Sequence, residues 1–263
     1  MPVFTDQMNR EVFVPGPPLR IVSLVPSQTE LLHTLGLAGR VVGVTRFCVH
    51  PEDWRGTRQR VGGTKNINIE TLLSLHPDLV IANKEENTRE QVEAIARQVP
   101  VWISDVHDLD SALAMMQGIG EITGRQAEAA RLTTRIGSDF EALARTTQGR
   151  RAPDTAYLIW KDPYMTAGGD TFISDILTRS GFNNIFGAAK RYPVADIDTL
   201  RCEVLMLSSE PYPFKERHRE ALQRLKPHTR VMLVNGELFS WYGSRLLHTA
   251  AYVRQLFDSC TPG

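Results

Sequence analysis

Residues 126–148 set the plan of this 263-residue chain. Ala129, Leu132, Ile136, Phe140 and Leu143 recur every three or four residues, the spacing of one helical face. Arg131, Arg135, Asp139, Glu141 and Arg145 occupy the remaining faces. Gly124 precedes the stretch, Gly149 stands where a left-handed C-cap belongs, and Pro153 discourages a restart. The pattern predicts one helix roughly 34 Å long with a single buried stripe. Its place at mid-chain makes it a strut between two halves. Length agrees, because 263 residues exceed the usual single domain and suit two of medium size. The expected divisions are residues 1–123, a connecting helix at 124–149, and residues 150–263.

Both halves alternate short apolar runs with helical segments, in the same order. After a small hairpin at Thr5 to Val14, turning at Met8-Asn9, the first half offers strands at Ile21 to Val25, Val41 to Thr45, Leu79 to Ile81 and Val99 to Ile103. Between them, Ser27-Gln28-Thr29-Glu30 reads as a capping box opening a helix that Gly36 ends. Asn68-Ile69-Glu70-Thr71-Leu72 opens another, and helices follow at Thr88 to Gln98 and Asp110 to Ile122. In the second half, Tyr157 to Trp160 answers the first strand, and Phe172 to Ser180, closed by Gly181, answers the first helix. Asp196-Ile197-Asp198-Thr199-Leu200 answers the segment at Asn68, and Leu205 to Leu207 and Val231 to Val234 answer the last two strands. Ser244 is placed to cap a final helix with Leu246, Ala250, Val253 and Phe257 inward. The expected class is α/β: two lobes of parallel sheet covered by helices, joined by the long helix. Ligands of such sheets bind beyond the carboxyl ends of the strands, so a ligand cleft between the lobes is expected.

Composition removes several function classes. Lys+Arg and Asp+Glu balance at 30 each, which gives no support to a nucleic-acid or membrane-surface role. Cys48, Cys202 and Cys260 are too scattered for a disulfide framework or a CxxC zinc site. No run approaches a membrane span. Met1 to Pro18 carries Asp6, Arg10 and Glu11 and no apolar core, so it does not read as a secretory signal. The chain as it stands is expected in the cytoplasm, or in the periplasm if its N-terminus has been trimmed. A Gly-rich phosphate loop, a GxSxG elbow and an HExxH pair are all absent from the sequence. No catalytic residues are expected, and no resident cofactor.

The strand-end segments carry the site candidates. The first half supplies Ser27 and Gln28, then Arg46 and Phe47, then Lys84 and Glu85. The second supplies Trp160 and Tyr164, then Tyr192, Glu210, Phe239 and Trp241. Aromatic side chains with a few polar groups are what a small-molecule site uses. Cys48 and His50 are the candidates for a metal, or with Glu85 for a thiol nucleophile. The C-x-H spacing matches no standard zinc arrangement, and a buried, inert cysteine is the ordinary alternative. Glu70 and Asp198 hold equivalent places in the two repeats, which suits a grip on a two-fold partner. An acid in a helix's first turn also favours the macrodipole.

Further motifs tie these stretches to a known family. They are Thr5-Asp6 with Arg10-Glu11-Val12, then Arg20-Ile21-Val22-Ser23-Leu24 with Pro26-Ser27-x-Thr29-Glu30. Asn68-Ile69-Glu70 with Leu75-x-Pro77-Asp78-Leu79-Val80-Ile81 continues them. The chain resembles the helical-backbone (class III) substrate-binding proteins of ABC importers for cobalamin, haem and iron–siderophore complexes, and is most similar to the cobalamin binders. The resemblance implies a solute-binding protein, monomeric, for a cobalamin-like or metal-chelate ligand, the cobalt or iron belonging to the ligand itself. It implies that Trp160, Tyr164 and Tyr192 hold a corrin-like ligand, and that Glu70 and Asp198 dock onto arginines of the membrane subunits. Where the cobalamin binders carry an aromatic in the first lobe, Gly62-Gly63-Thr64-Lys65 has none. A cytoplasmic sensor on the same fold, or a metal- or thiol-dependent enzyme using Cys48 and His50, are the alternatives.

Overall fold

The computed structural model describes residues 2–54 and 56–261. Contacts divide it into two compact units. The first gathers the chain up to Val106, Asp110–Thr134 and Tyr242–Arg245; the second gathers His107–Leu109, Arg135–Trp241 and the chain from Leu246.

The first unit opens with an antiparallel hairpin, β1 (Val3–Thr5) and β2 (Glu11–Phe13). Asn9 turns it at φ 58°, and the Asp6 carboxylate accepts from the amides of Met8 and Arg10 at 2.9 Å each. Then come β3 (Ile21–Ser23), α1 (Pro26–Thr34), β4 (Val41–Val44), β5 (Gln59–Arg60), α2 (Ile69–Ser74), β6 (Leu79–Asn83), α3 (Arg89–Ala96), β7 (Val101–Ser104) and α4 (Leu109–Ile122). The five strands from β3 to β7 form one parallel sheet in the order β5-β4-β3-β6-β7. All residues of β3 and β6 are buried, which is why those strands read as continuous apolar runs. Val22, Leu24, Val80 and Ala82 pack there with Leu72, Val92 and Ile95 of the covering helices.

The mid-chain helix is present as α5 (Gln126–Thr147). Its stripe of Ala129, Leu132, Ile136, Phe140 and Leu143 is buried throughout, and Gly149 closes it at φ +76°. Its residues through Thr134 belong to the first unit and those from Arg135 to the second.

The second unit contains β8 (Asp154–Trp160), β9 (Met165–Thr166), α6 (Phe172–Arg179), β10 (Asn183–Asn184), β11 (Val204–Ser208), α7 (Glu216–Leu225), β12 (Arg230–Val234), α8 (Glu237–Ser240) and α9 (Leu246–Cys260). Its parallel strands run β10-β8-β11-β12, with β9 folded back antiparallel on β8. In chain order this is second, first, third, fourth, the same sequence that β4-β3-β6-β7 follows in the first unit. The repeat read from residue pattern is therefore a repeat of topology. Leu246, Ala250, Val253 and Phe257 of α9 are buried, as their spacing requires.

Three local expectations are corrected. Ser27-x-x-Glu30 is not a capping box: Pro26 takes the first helical position and Val25 is the N-cap, with no side-chain cap. Ser27 is buried and Glu30 instead makes a two-toothed ion pair with Arg245, at 2.7 and 2.9 Å. Asp196–Leu200 is a turn, not a helix. The Asp196 carboxylate accepts from the Asp198 amide at 3.0 Å and the Thr199 hydroxyl at 2.9 Å, and its carbonyl accepts from the Leu200 amide at 2.9 Å, a single turn that does not continue as a helix. Ser244 does not cap α9, because its hydroxyl is buried with no partner among the described residues.

Candidate functional site

Because the strands of each sheet, β9 apart, are parallel, their carboxyl ends lie along one edge, and the loops that leave it carry the polar and aromatic candidates. In the first unit, side-chain amides build that edge. Asn83, at the end of β6, accepts from the amides of Glu85 and Glu86 at 2.8 and 2.9 Å. Its own amide nitrogen donates to the Ser104 hydroxyl at 3.0 Å. Asn87 accepts from the Asn83 amide at 2.9 Å and donates to the Thr64 carbonyl at 3.0 Å, which ties the loop after β5 to the loop after β6. Gln28 donates to Ser104 and is fully buried, its Oε1 without a partner among the described residues. It holds the edge from behind and presents no surface, so its place among ligand contacts is corrected. Ser27 is buried beside it.

Around this frame, Lys84 pairs with Asp105 at 2.6 Å, and the exposed Lys65 donates to the Glu85 carbonyl. Arg46 lies over the Phe47 ring, 5.1 Å from its centroid, and Phe47 is 50% exposed. A Cβ on Gly63 would stand 3.3 Å from that ring and 3.2 Å from the Arg46 guanidinium. Gly63 thus leaves room for both side chains. Phe47 places a half-exposed aromatic ring beside the Gly62–Lys65 segment, a proximity that no linear motif displays.

Cys48 lies in the same loop but behind it. Thr29 donates to its sulfur at 3.0 Å, Thr45 is 3.2 Å away, and burial pushes the thiol's pKa up. A protonated, buried thiol is a poor nucleophile and a poor metal ligand. Among the described residues no three His, Cys, Asp or Glu side chains come together to hold a metal ion. Cys48 and His50 therefore lack the third ligand that their metal role requires.

The second unit builds its edge from rings. Trp160 ends β8 with 41% of its surface exposed and meets Tyr212 edge-on, at 5.8 Å between centroids. Tyr212 meets the buried Phe214 at 4.8 Å. Arg191 lies over the Tyr192 ring at 5.4 Å, and Tyr164 is half-buried, its phenol pKa raised by burial. The Glu210 carboxylate is fixed from one side: its Oε1 accepts from the Trp241 indole at 3.0 Å and the Ser240 hydroxyl at 2.5 Å. Trp241 is itself buried. Phe239 is fully buried against Tyr157 at 5.0 Å, so it serves the core and is corrected as a ligand contact. A Cβ on Gly169 would fall 1.9 Å from the Gly187 carbonyl oxygen, so glycine is what lets those loops meet.

Glu70 is exposed in the first turn of α2, where Asn68 caps the helix by accepting from the Thr71 amide at 2.9 Å. Asp198 is exposed in its turn and borders a hollow of about 420 Å³ lined also by Leu200, Arg201, Leu225 and Lys226. With no helix there, a macrodipole role is removed for Asp198 and remains open for Glu70.

The model of the periplasmic binding protein family matches residues 21–202. This chain belongs to that family. It is a solute-binding protein, and the family is one of binding proteins. A vitamin B12-binding protein of Pectobacterium carotovorum subsp. carotovorum (strain PC1) is 26% identical over 254 residues, 94% of this chain and 91% of its own. An uncharacterized ABC transporter substrate-binding lipoprotein of Bacillus subtilis (strain 168) is 30% identical over 181 residues, 65% of this chain and 57% of its own. A periplasmic haem-binding protein solved with two haems superposes at a TM-score of 0.80, with 21% identity over 93% of this chain and 99% of its own. At that identity the likeness is one of fold. Among the described residues no helix is long and apolar enough to cross a membrane.

Proposed function

We propose that the protein binds a planar metal chelate of the cobalamin or haem class and delivers it to an ABC importer, without catalysis. One observation carries the ligand class. Each sheet holds one large aromatic ring exposed beyond its carboxyl strand ends, Phe47 in the first unit and Trp160 in the second. Each ring is held by a neighbour, Arg46 or Tyr212. Large exposed apolar groups held in place mark a binding surface. Tyr164, Tyr192, Lys84 and Glu210 complete the contacts, the cations Arg46 and Lys84 meeting carboxylates or phosphates. Metal enters inside the ligand, and the protein supplies no ion of its own. Delivery sets Glu70 and Asp198 against arginines of the membrane subunits, with the protein working as a monomer outside the cytoplasmic membrane. The vitamin B12-binding and ABC-transporter relatives support both steps.

A native mass spectrum of protein purified from its own host tests the reading, because a bound solute reports its own mass. A mass increment matching a corrinoid, haem or ferric chelate is expected. An increment matching a sugar, an amino acid or a peptide would overturn it.

A further inference from the structure

We propose that Tyr212 is a positioning residue that fixes the ring of Trp160 before any ligand arrives. A tryptophan on a strand end with two-fifths of its surface exposed has rotamers open to it on the solvent side. Here one side is closed. The Tyr212 ring stands edge-on to Trp160 at 5.8 Å and 70°. Tyr212 is anchored at both levels: its amide donates to the Ile159 carbonyl at 3.2 Å, and its ring meets Phe214 at 4.8 Å and His218 at 5.6 Å. Phe214 is 5% exposed and belongs to the core cluster with Leu158, Leu205 and Leu222. The contacts thus run from an exposed ring through Tyr212 into the core of the second unit. A ring already held loses little freedom on binding, and that saving appears as affinity. The hydroxyl of Tyr212 takes no part in this chain of contacts, so phenylalanine should serve as well. The inference rests on Trp160 being a ligand contact.

Two readouts separate it from that reading. Trp160 emission is isolated by subtracting the spectrum of a Trp160→Phe protein, and its iodide quenching and anisotropy are measured without ligand. Tyr212→Leu should raise the quenching and lower the anisotropy, while Tyr212→Phe matches the wild type. A merely structural role would lower the melting temperature and leave Trp160 unmoved, and that result overturns the proposal. Cyanocobalamin and haemin then serve as binding probes. Tyr212→Leu should weaken the probe that binds by about 2- to 10-fold in wild-type protein, and have no further effect on Trp160→Ala protein. Equal weakening in both backgrounds also overturns it. If Trp160→Ala binds both probes as the wild type does, the ligand reading fails, and the quenching result alone decides whether Tyr212 holds the ring.

Discussion

The two units share a strand order and differ in what they put at the strand ends. In the first, Asn83, Asn87, Ser104 and Gln28 form a buried hydrogen-bonded frame to which Lys84 is tied by its amide, while Arg46 lies over Phe47 in the loop after β4. In the second, Trp160, Tyr212 and Phe214 form a run of rings, with Glu210 pinned beside them by Trp241 and Ser240. A hydrogen-bonded frame depends on every partner being present, because a buried polar group left alone is costly. A run of rings tolerates exchange among apolar side chains of similar volume. Duplicated topology therefore does not impose duplicated chemistry: the sheet sets where loops emerge, and each loop's own side chains decide how it is held.

The largest effect concerns what the units keep in common. Charge reversal of both exposed acids, Glu70→Lys with Asp198→Lys, should abolish uptake of the solute in cells that depend on this protein, with ligand affinity unchanged. Truncating one partner of a desolvated interface pair costs about 2–5 kcal/mol. Loss of uptake from Glu70→Lys alone, with Asp198→Lys silent, would break the equivalence of the two units.

A second effect separates the two kinds of strand end. Asn83→Ala removes the acceptor for two loop amides and a donor to the buried Ser104. It should cost about 2 kcal/mol of stability in denaturant unfolding. A loss below about 0.5 kcal/mol, the level of an ordinary surface change, would mean that the frame is not what holds the first unit's edge.

The smallest effect sharpens the contrast between α2 and the turn at Asp198. Asn68→Ala should cost about 1 kcal/mol, the usual value of an N-cap, at any pH between 3 and 7. Asp196→Ala should cost less, and its cost should depend on pH. The Thr199 hydroxyl, and then the Asp198 amide, hold the Asp196 carboxyl below its ordinary value of 3.8. The stabilisation is therefore present at neutral pH and lost as pH falls below that value through the folded-state pKa. Melting curves of the two variants at pH 7 and at low pH check this. A pH-independent cost at Asp196 would mean that its carboxylate charge plays no part in the turn.

Much of this architecture was legible from residue spacing. The stripe from Ala129 to Leu143, the apolar runs at Ile21 and Leu79, and the glycine closing the long helix are local signals that packing did not override. The failures were places where two local rules competed or a distant partner intervened. Pro26 claimed the first helical position ahead of Ser27, a signal present in the sequence. Glu30 was taken by Arg245, more than two hundred residues away, which no window can display. Asp196 and Asn68 head the same kind of pattern, yet the Asp196 carboxylate also bonds the Thr199 hydroxyl. At the candidate site, the strand ends were legible but the direction of each side chain was not. Phe239 turned into the core and Phe47 out of it, and Tyr212, two residues past the candidate Glu210, was not singled out.

The central claim is that the exposed ring of Trp160 binds a planar chelate, and one titration addresses it directly. Cyanocobalamin, haemin and a ferric siderophore are titrated into wild-type and Trp160→Ala protein, with binding followed by calorimetry. At least one should saturate at one ligand per wild-type chain, and Trp160→Ala should weaken that binding about 30-fold or more, the scale of an interface residue worth 2 kcal/mol. No saturable binding by any of the three, or equal affinity in the two proteins, would contradict the claim.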